Sequence, residues 1–156
     1  MKKKIVIEYQ EFTSAGLLAK DDAELLEAAV SATDFSYSPF SKFRVGAAVR
    51  MADGRIFKAA NQESEAFPSG MCAERSLLYY VFSKCPDVPI EAMAIAAKKG
   101  RKLTATPTRP CGACIQVMLD AQKRGGRPIR VILGAQEKIE VISSVNDLIP
   151  FSFDNF

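Results

Sequence analysis

The chain is predicted to fold as an α/β domain, with a mixed central sheet of about five strands and helices packed on its faces. Two observations predict it. Patterns of helical and strand period follow one another in the order helix, two strands, helix, strand, helix, strand, strand. The first two strands are joined too tightly to be anything but antiparallel, whereas strands linked through helices run parallel.

An alternating stretch, Ile5 to Phe12, reads as an added N-terminal strand. Asp21 and Asp22 then open a helix whose apolar positions are Ala23, Leu25, Leu26, Ala29 and Val30, and which ends before Ser38-Pro39. Phe43 to Val49 and Arg55 to Ala59 form a hairpin, because the Asp53-Gly54 pair accepts the positive φ of a tight turn. After a loop with Pro68 and Gly70 come a helix over Met71 to Lys84, a strand over Glu91 to Ala97, and a helix over Cys111 to Arg124. Strands over Pro128 to Leu133 and Lys138 to Ile142 complete the pattern. There is no internal repeat, and 156 residues, 48% of them hydrophobic, suit one domain over 1–156.

Composition removes whole classes of function. With no histidine in the chain, every Ser-His-Asp or Cys-His scheme and every imidazole-ligated metal is excluded. No apolar run approaches the ~20 residues of a membrane helix, and the start, Met1 to Glu8, is too short and polar for a signal peptide. Four cysteines in such a chain are expected to stay reduced in a cytoplasm, free or bound to metal. The net charge of +3 is mild, and its basic clusters at 2–4, 98–102 and 123–127 fall at chain ends and turns, as solvated loops do; no nucleic-acid partner is expected.

Cys111 and Cys114 stand three apart at the start of a helix, immediately after Pro110, so both sulfurs leave the same first turn. Cys72 opens another helix in the same way. Unpaired N–H groups and the positive end of the helix dipole lower a thiol's pKa there and favour the thiolate that binds metal. Two helix N-termini are therefore expected to converge on one ion. A redox Cys-x-x-Cys leaves Cys72 unexplained. A closed four-cysteine zinc would need Cys85, which lies roughly 20 Å away at the far end of Cys72's own helix at ~1.5 Å per residue. Three ligands and one open position are the mark of a catalytic zinc.

Glu74 follows Cys72 by two residues. Beside an open metal position, an unligated carboxylate takes a proton from the attacking water and hands it on; the alternative is an ordinary first-turn acid favoured by the helix dipole. Arg75 is either a donor to the sulfurs, offsetting their surplus negative charge, or a surface arginine.

Cys72-Ala73-Glu74-Arg75 followed by Pro110-Cys111-Gly112-Ala113-Cys114 resembles the signature of the cytidine deaminase superfamily. Residues 37–48, with Asn61-Gln62-Glu63 and Leu148 to Phe153, resemble further blocks of its small homotetrameric members. The resemblance spans roughly residues 20 to 153. It implies a three-layer α/β/α sandwich, one Zn²⁺ per subunit and hydrolysis of cytidine or deoxycytidine to uridine or deoxyuridine with loss of ammonia, in pyrimidine salvage. It also implies that Asn61 and Glu63 hold the ribose hydroxyls, that Phe43 packs on the nucleoside, that Ala73 offers backbone contacts to the pyrimidine, and that Phe151 and Phe153 complete a neighbouring subunit's pocket. Ser64, Phe40, Ile115 and the tail Asp154-Asn155-Phe156 depart from the common pattern. The alternatives are a deaminase of blasticidin-type nucleosides or of cytosine in nucleic acid, and a zinc-stabilised binding module without activity.

Overall fold

The computed structural model describes residues 1–154; Asn155 and Phe156 of the unusual tail lie outside the described residues. The described residues form seven strands, β1 (Gln10–Phe12), β2 (Phe43–Met51), β3 (Ile56–Ala60), β4 (Ile90–Lys99), β5 (Lys102–Leu103), β6 (Arg130–Gly134) and β7 (Ile139–Ile142). With them are three α-helices, α1 (Lys20–Ala32), α2 (Ala73–Lys84) and α3 (Gly112–Gly125). All seven strands share one mixed sheet in the order β1-β7-β6-β4-β2-β3, with β5 paired to the end of β4.

Seven strands stand where about five were expected, for two reasons. β5 is a two-residue hairpin partner of β4, turned at Gly100 with φ of 67°, and is too short to show a period. β1 forms over Gln10–Phe12 rather than from Ile5, because its partner β7 stops at Ile142, opposite position 9; Ile5, Val6 and Ile7 run beyond that partner and stay exposed. The helices linking β3 to β4 and β4 to β6 give those strands a common direction, while β6 and β7 are joined without a helix and run antiparallel.

The sheet's faces differ in bulk, and this sets the layers. On one face Ala48, Ala92, Ala94 and Ala96 leave room for Leu25, Leu26 and Ala29 of α1. On the other, Val49, Met51, Met93 and Ile95 pack against Leu77, Leu78 and Val81 of α2 and Val117, Met118 and Leu119 of α3. Three layers result, with α2 and α3 side by side. Cys85 caps α2's far end, buried in this second core.

Charge pins the start of α1. Arg50, buried on the alanine face, donates to the Asp21 carbonyl at 2.6 Å and pairs with Asp22 at 3.3 Å, and Asp22 also takes Arg130 at 3.0 and 2.5 Å. Closer to the helix's far end the approach is limited by backbone alone. A Cβ at Gly46 would run into the Ala29 carbonyl oxygen and stand 2.7 Å from the Thr33 nitrogen. Neither neighbour is a rotatable side chain, so the strain has no local escape. Gly46→Ala is expected to cost about 3 kcal/mol in urea denaturation, the upper end of overpacking. Gly16→Ala adds the same methyl with nothing nearer than the Ser14 hydroxyl at 3.9 Å, and should stay within about 0.5 kcal/mol of the parent.

Candidate active site

The two helices on the bulky face begin at the same end of the sheet, and each begins on a cysteine. Cys72 (φ −66°, ψ 153°) is the N-cap of α2 and Cys111 (φ −71°, ψ 164°) that of α3. Both are extended, so each helix starts one or two residues later than its apolar pattern alone indicates. Cys114 follows in α3's first turn and is fully buried. The three sulfurs lie within 4.8 Å of one another. Cys85 has no part in this group.

Thiols in this arrangement cannot all be ordinary. Burial pushes Cys114 far up, and the Glu74 carboxylate and the other two sulfurs add to the effect. Burial acts the same way on Cys111, but the backbone N–H groups of Cys114 and Ala113 and the thiols of Cys114 and Cys72 outweigh it and hold Cys111 below its usual range. A soft divalent cation at the centre resolves the conflict, because it binds all three as thiolates. Cys72, Cys111 and Cys114 fit zinc by donor type, by spacing and by leaving a fourth position for another ligand.

Glu74 lies in α2's first turn with 5% of its surface exposed. Burial raises its pKa, against the opposing pull of its own backbone N–H, the Cys114 thiol and Arg75. Glu74 is a first-turn acid, as the alternative from sequence has it, but a buried one. Arg75 reaches the sulfurs: its Nη2 is 3.9 Å from Cys72 Sγ, and hydrogen bonding to Cys72 leads the causes that raise its pKa.

From Cys72 and Arg75 a cleft of about 660 Å³ extends past Met71 and Gly70 to Phe40, Ser41, Asn61 and Glu63. Asn61 is anchored at the end of β3, its Oδ1 accepting from the Ser36 hydroxyl at 2.6 Å and the Val45 N–H at 2.8 Å while Nδ2 donates to the Phe43 carbonyl at 2.9 Å. Glu63 accepts from the N–H groups of Phe40 at 2.8 Å and Ser41 at 3.2 Å and from the Ser41 hydroxyl, which leads in holding its pKa below the usual value. Phe40 and Ser64 both line the cleft, Phe40 edge-on to Phe67 at 6.1 Å.

The remaining residues named from sequence are placed unevenly. Ala73 is buried at the start of α2, next to Cys72 and Glu74. Phe43 is half-buried at the start of β2 and is not among the residues lining the cleft. Ile115, after Cys114, packs on the second core. Phe151 and Phe153 are 87% and 63% exposed, on a segment that Gln116 of α3 holds through the Phe153 carbonyl at 3.0 Å; neither lines the cleft of its own chain. Sequence reasoning passed over Ser41, and over an ion pair between Arg109, two residues before Cys111, and the buried Glu140 at 2.7 Å. The available signal for Glu140 was an acid inside the apolar run Ile139 to Ile142.

Comparison with known proteins agrees with this geometry. Residues 19–125 match the family model of the cytidine and deoxycytidylate deaminase zinc-binding region. A cytidine deaminase of Halalkalibacterium halodurans is 35% identical over 134 residues, 85% of this chain and 94% of the relative. One from Sporosarcina psychrophila is 35% identical over 100 residues, 64% of this chain and 69% of the relative. The crystal structure of cytidine deaminase from Burkholderia pseudomallei is similar at a TM-score of 0.71 and 34% identity, covering 83% of this chain and 97% of that one. That from Mycobacterium tuberculosis has a TM-score of 0.65 at 26% identity, covering 84% and 95%.

The metal centre is checked by elemental analysis of purified protein. Cys114→Ala is expected to lose the bound zinc, whereas Cys85→Ala, which alters a thiol outside the sulfur cluster, retains the wild-type content.

Proposed function

The chain belongs to the cytidine and deoxycytidylate deaminase family, and from that premise we propose that it hydrolyses cytidine and deoxycytidine to uridine and deoxyuridine, releasing ammonia. The observation that carries the reading is Glu74, a buried carboxyl in the same helical turn as a three-thiol zinc site and not one of its ligands.

Zinc held by Cys72, Cys111 and Cys114 supplies Lewis acidity that makes the attacking water easier to deprotonate near neutral pH. Three thiolates leave the centre with a surplus negative charge, which weakens that effect; Arg75, donating towards Cys72, and the N-termini of α2 and α3 restore part of it. Glu74 takes a proton from the attacking water and passes it to N3 of the pyrimidine, which makes C4 electrophilic. After the C–O bond forms, Glu74 moves the second water proton to the amino group. The C4–N bond then breaks, ammonia leaves, and the carbonyl of the uracil ring remains. Burial suits Glu74 to both transfers, since it brings the affinity of the carboxyl for protons closer to that of its partners.

Asn61 and Glu63 hold the ribose at the other end of the cleft, with Ala73 offering its backbone to the pyrimidine, while Phe43, outside the cleft lining, contributes through its carbonyl, which anchors Asn61. A single cation, Arg75, lines this cleft among the described residues, which favours a free nucleoside over a nucleic-acid strand. Thiolate ligands call for a reducing compartment, so the enzyme works in the cytoplasm, in pyrimidine salvage. It acts as a single-domain subunit of a homotetramer; the exposure of Phe67, Phe151 and Phe153 supports an assembly in which Phe151 and Phe153 close a neighbouring cleft.

Loss of cytidine absorbance, followed beside deoxycytidine, a blasticidin-type nucleoside and a short cytosine-containing oligonucleotide, tests the reading. The two nucleosides should be turned over and the oligonucleotide should not. Glu74→Ala is expected to lower kcat by about 10²–10⁴-fold with zinc retained, and near-normal turnover would remove Glu74 from the mechanism. Glu63→Ala is expected to raise KM for cytidine by about tenfold or more, as the loss of a hydrogen bond to a charged group does.

A further inference from the structure

Glu140 takes no part in the chemistry above, yet its side chain is only 2% exposed. It stands in β7, paired in register with Leu133 of β6 and Glu11 of β1, on the face that α2 and α3 cover. Two carboxylates directly opposite one another destabilise a sheet. Lys138 answers part of that, its Nζ 2.7 Å from Glu11 and 3.3 Å from Glu140. The second cation comes from outside the sheet: Arg109 Nη2 sits 2.7 Å from both oxygens of Glu140.

Arg109 lies on the segment that leads from β5 into α3 and ends at Cys111. The start of this segment is held by backbone, with Thr104 donating to Ala97 at 3.0 Å and Gln136 and Glu137 donating to Thr104 and Ala105 at 2.9 and 3.1 Å. Beyond it, Pro107 and Pro110 are buried but have no N–H to give. Among the described residues, the hydrogen bonds that tie 106–110 to the sheet are those of the Arg109 guanidinium. The tie is stiff because its acceptor is buried: moving Arg109 away would leave Glu140 charged, desolvated and short of its main partner.

We propose that the Arg109–Glu140 ion pair, backed by Lys138, is a positioning device for the metal centre. It fixes the chain entering α3, so that Cys111 and Cys114 meet Cys72 at the spacing one ion requires. Arg109 and Glu140 neither line the cleft nor belong to the sulfur cluster; they act through the placement of Cys111. The inference rests on the reading of the three cysteines as a zinc site.

The test uses the full-length zinc-loaded protein and the variants Arg109→Ala, Arg109→Lys, Glu140→Gln and the Arg109→Ala/Glu140→Gln double variant. Asp22→Asn serves as a matched break in the buried ion cluster under α1. Zinc release to a colorimetric chelator, the visible bands of the cobalt-substituted protein, and kcat and KM for cytidine are measured. Arg109→Ala and Glu140→Gln should each release zinc about tenfold faster or more, as is usual when an outer-shell partner is lost. The double variant should be no worse than the singles, and Arg109→Lys should fall between. Shifted cobalt bands and a reduced kcat with little change in KM should accompany the effect. Release within about twofold of wild type in folded Arg109→Ala, or equal acceleration by Asp22→Asn, overturns the proposal. If Glu140→Gln fails to fold, Arg109→Ala decides, since its side chain is more than half exposed. A wild-type chain that holds no zinc overturns the metal reading itself, and is seen before any variant is compared.

Discussion

Three sulfurs within 4.8 Å of one another are held together by the fold against their own chemistry. As bare thiolates, each pair would repel by about 3 to 4 kcal/mol at an effective dielectric near 20. As thiols they would waste the N–H groups of two helix starts, which favour anions. A divalent cation satisfies both conditions, and the topology is what creates the need for one. Strands β3, β4 and β6 run in one direction, so the helices that connect them, α2 and α3, start at the same edge of the sheet and on the same face. Placing a cysteine at each N-cap brings ligands from distant parts of the chain to one point. Ligands at open α/β sheets gather at the carboxyl ends of the strands for the same reason.

That convergence requires a sheet that does not shift between its helical layers. The alanines of β2 and β4 and the bare backbone at Gly46 let α1 approach until main-chain atoms are in contact, while buried Asp22 and Arg50, with half-buried Arg130, fix its first turn. With α1 seated so closely, the strands have little freedom to slide. The larger residues on the opposite face then set where α2 and α3 lie. Glu74 depends on this arrangement. It is buried because α2 is pressed against the sheet at its first turn, and burial is what distinguishes it from the exposed acids that helix starts commonly carry.

Features with a local cause were legible in the sequence. The period of α1, the Asp53-Gly54 turn and the helices behind Cys72 and Cys111 each follow from a few neighbouring residues, and the absence of histidine restricted the ligand set before any geometry was known. What escaped reading depended on partners distant in sequence. β1 begins at Gln10 because β7 ends at Ile142, and no pattern within residues 5–12 contains that information. Arg109 and Glu140 are 31 residues apart and meet because β6 and β7 form a hairpin beside the segment entering α3. The acid inside an apolar run was visible, but its partner was not. Cys111 and Cys114, three apart on one helical turn, were visible as a pair for the opposite reason.

The end of the cleft that the proposed reading gives to the ribose is built from side chains that also hold the fold together. Asn61 uses Oδ1 twice and Nδ2 once to tie β3 to the start of β2 and to Ser36, which leaves one N–H of its amide. Glu63 takes three donors from residues 40 and 41 in four hydrogen bonds, the Ser41 N–H being shared between its two oxygens. Each residue is thus locked by the loop it organises, and the Asn61 amide keeps one N–H for a ligand. On the proposed reading, these two side chains meet the ribose hydroxyls with little ordering left to be done on binding. The same locking ties the cleft to the fold: a change that loosens the turn at Phe40 and Ser41, which line the cleft themselves, also moves Glu63.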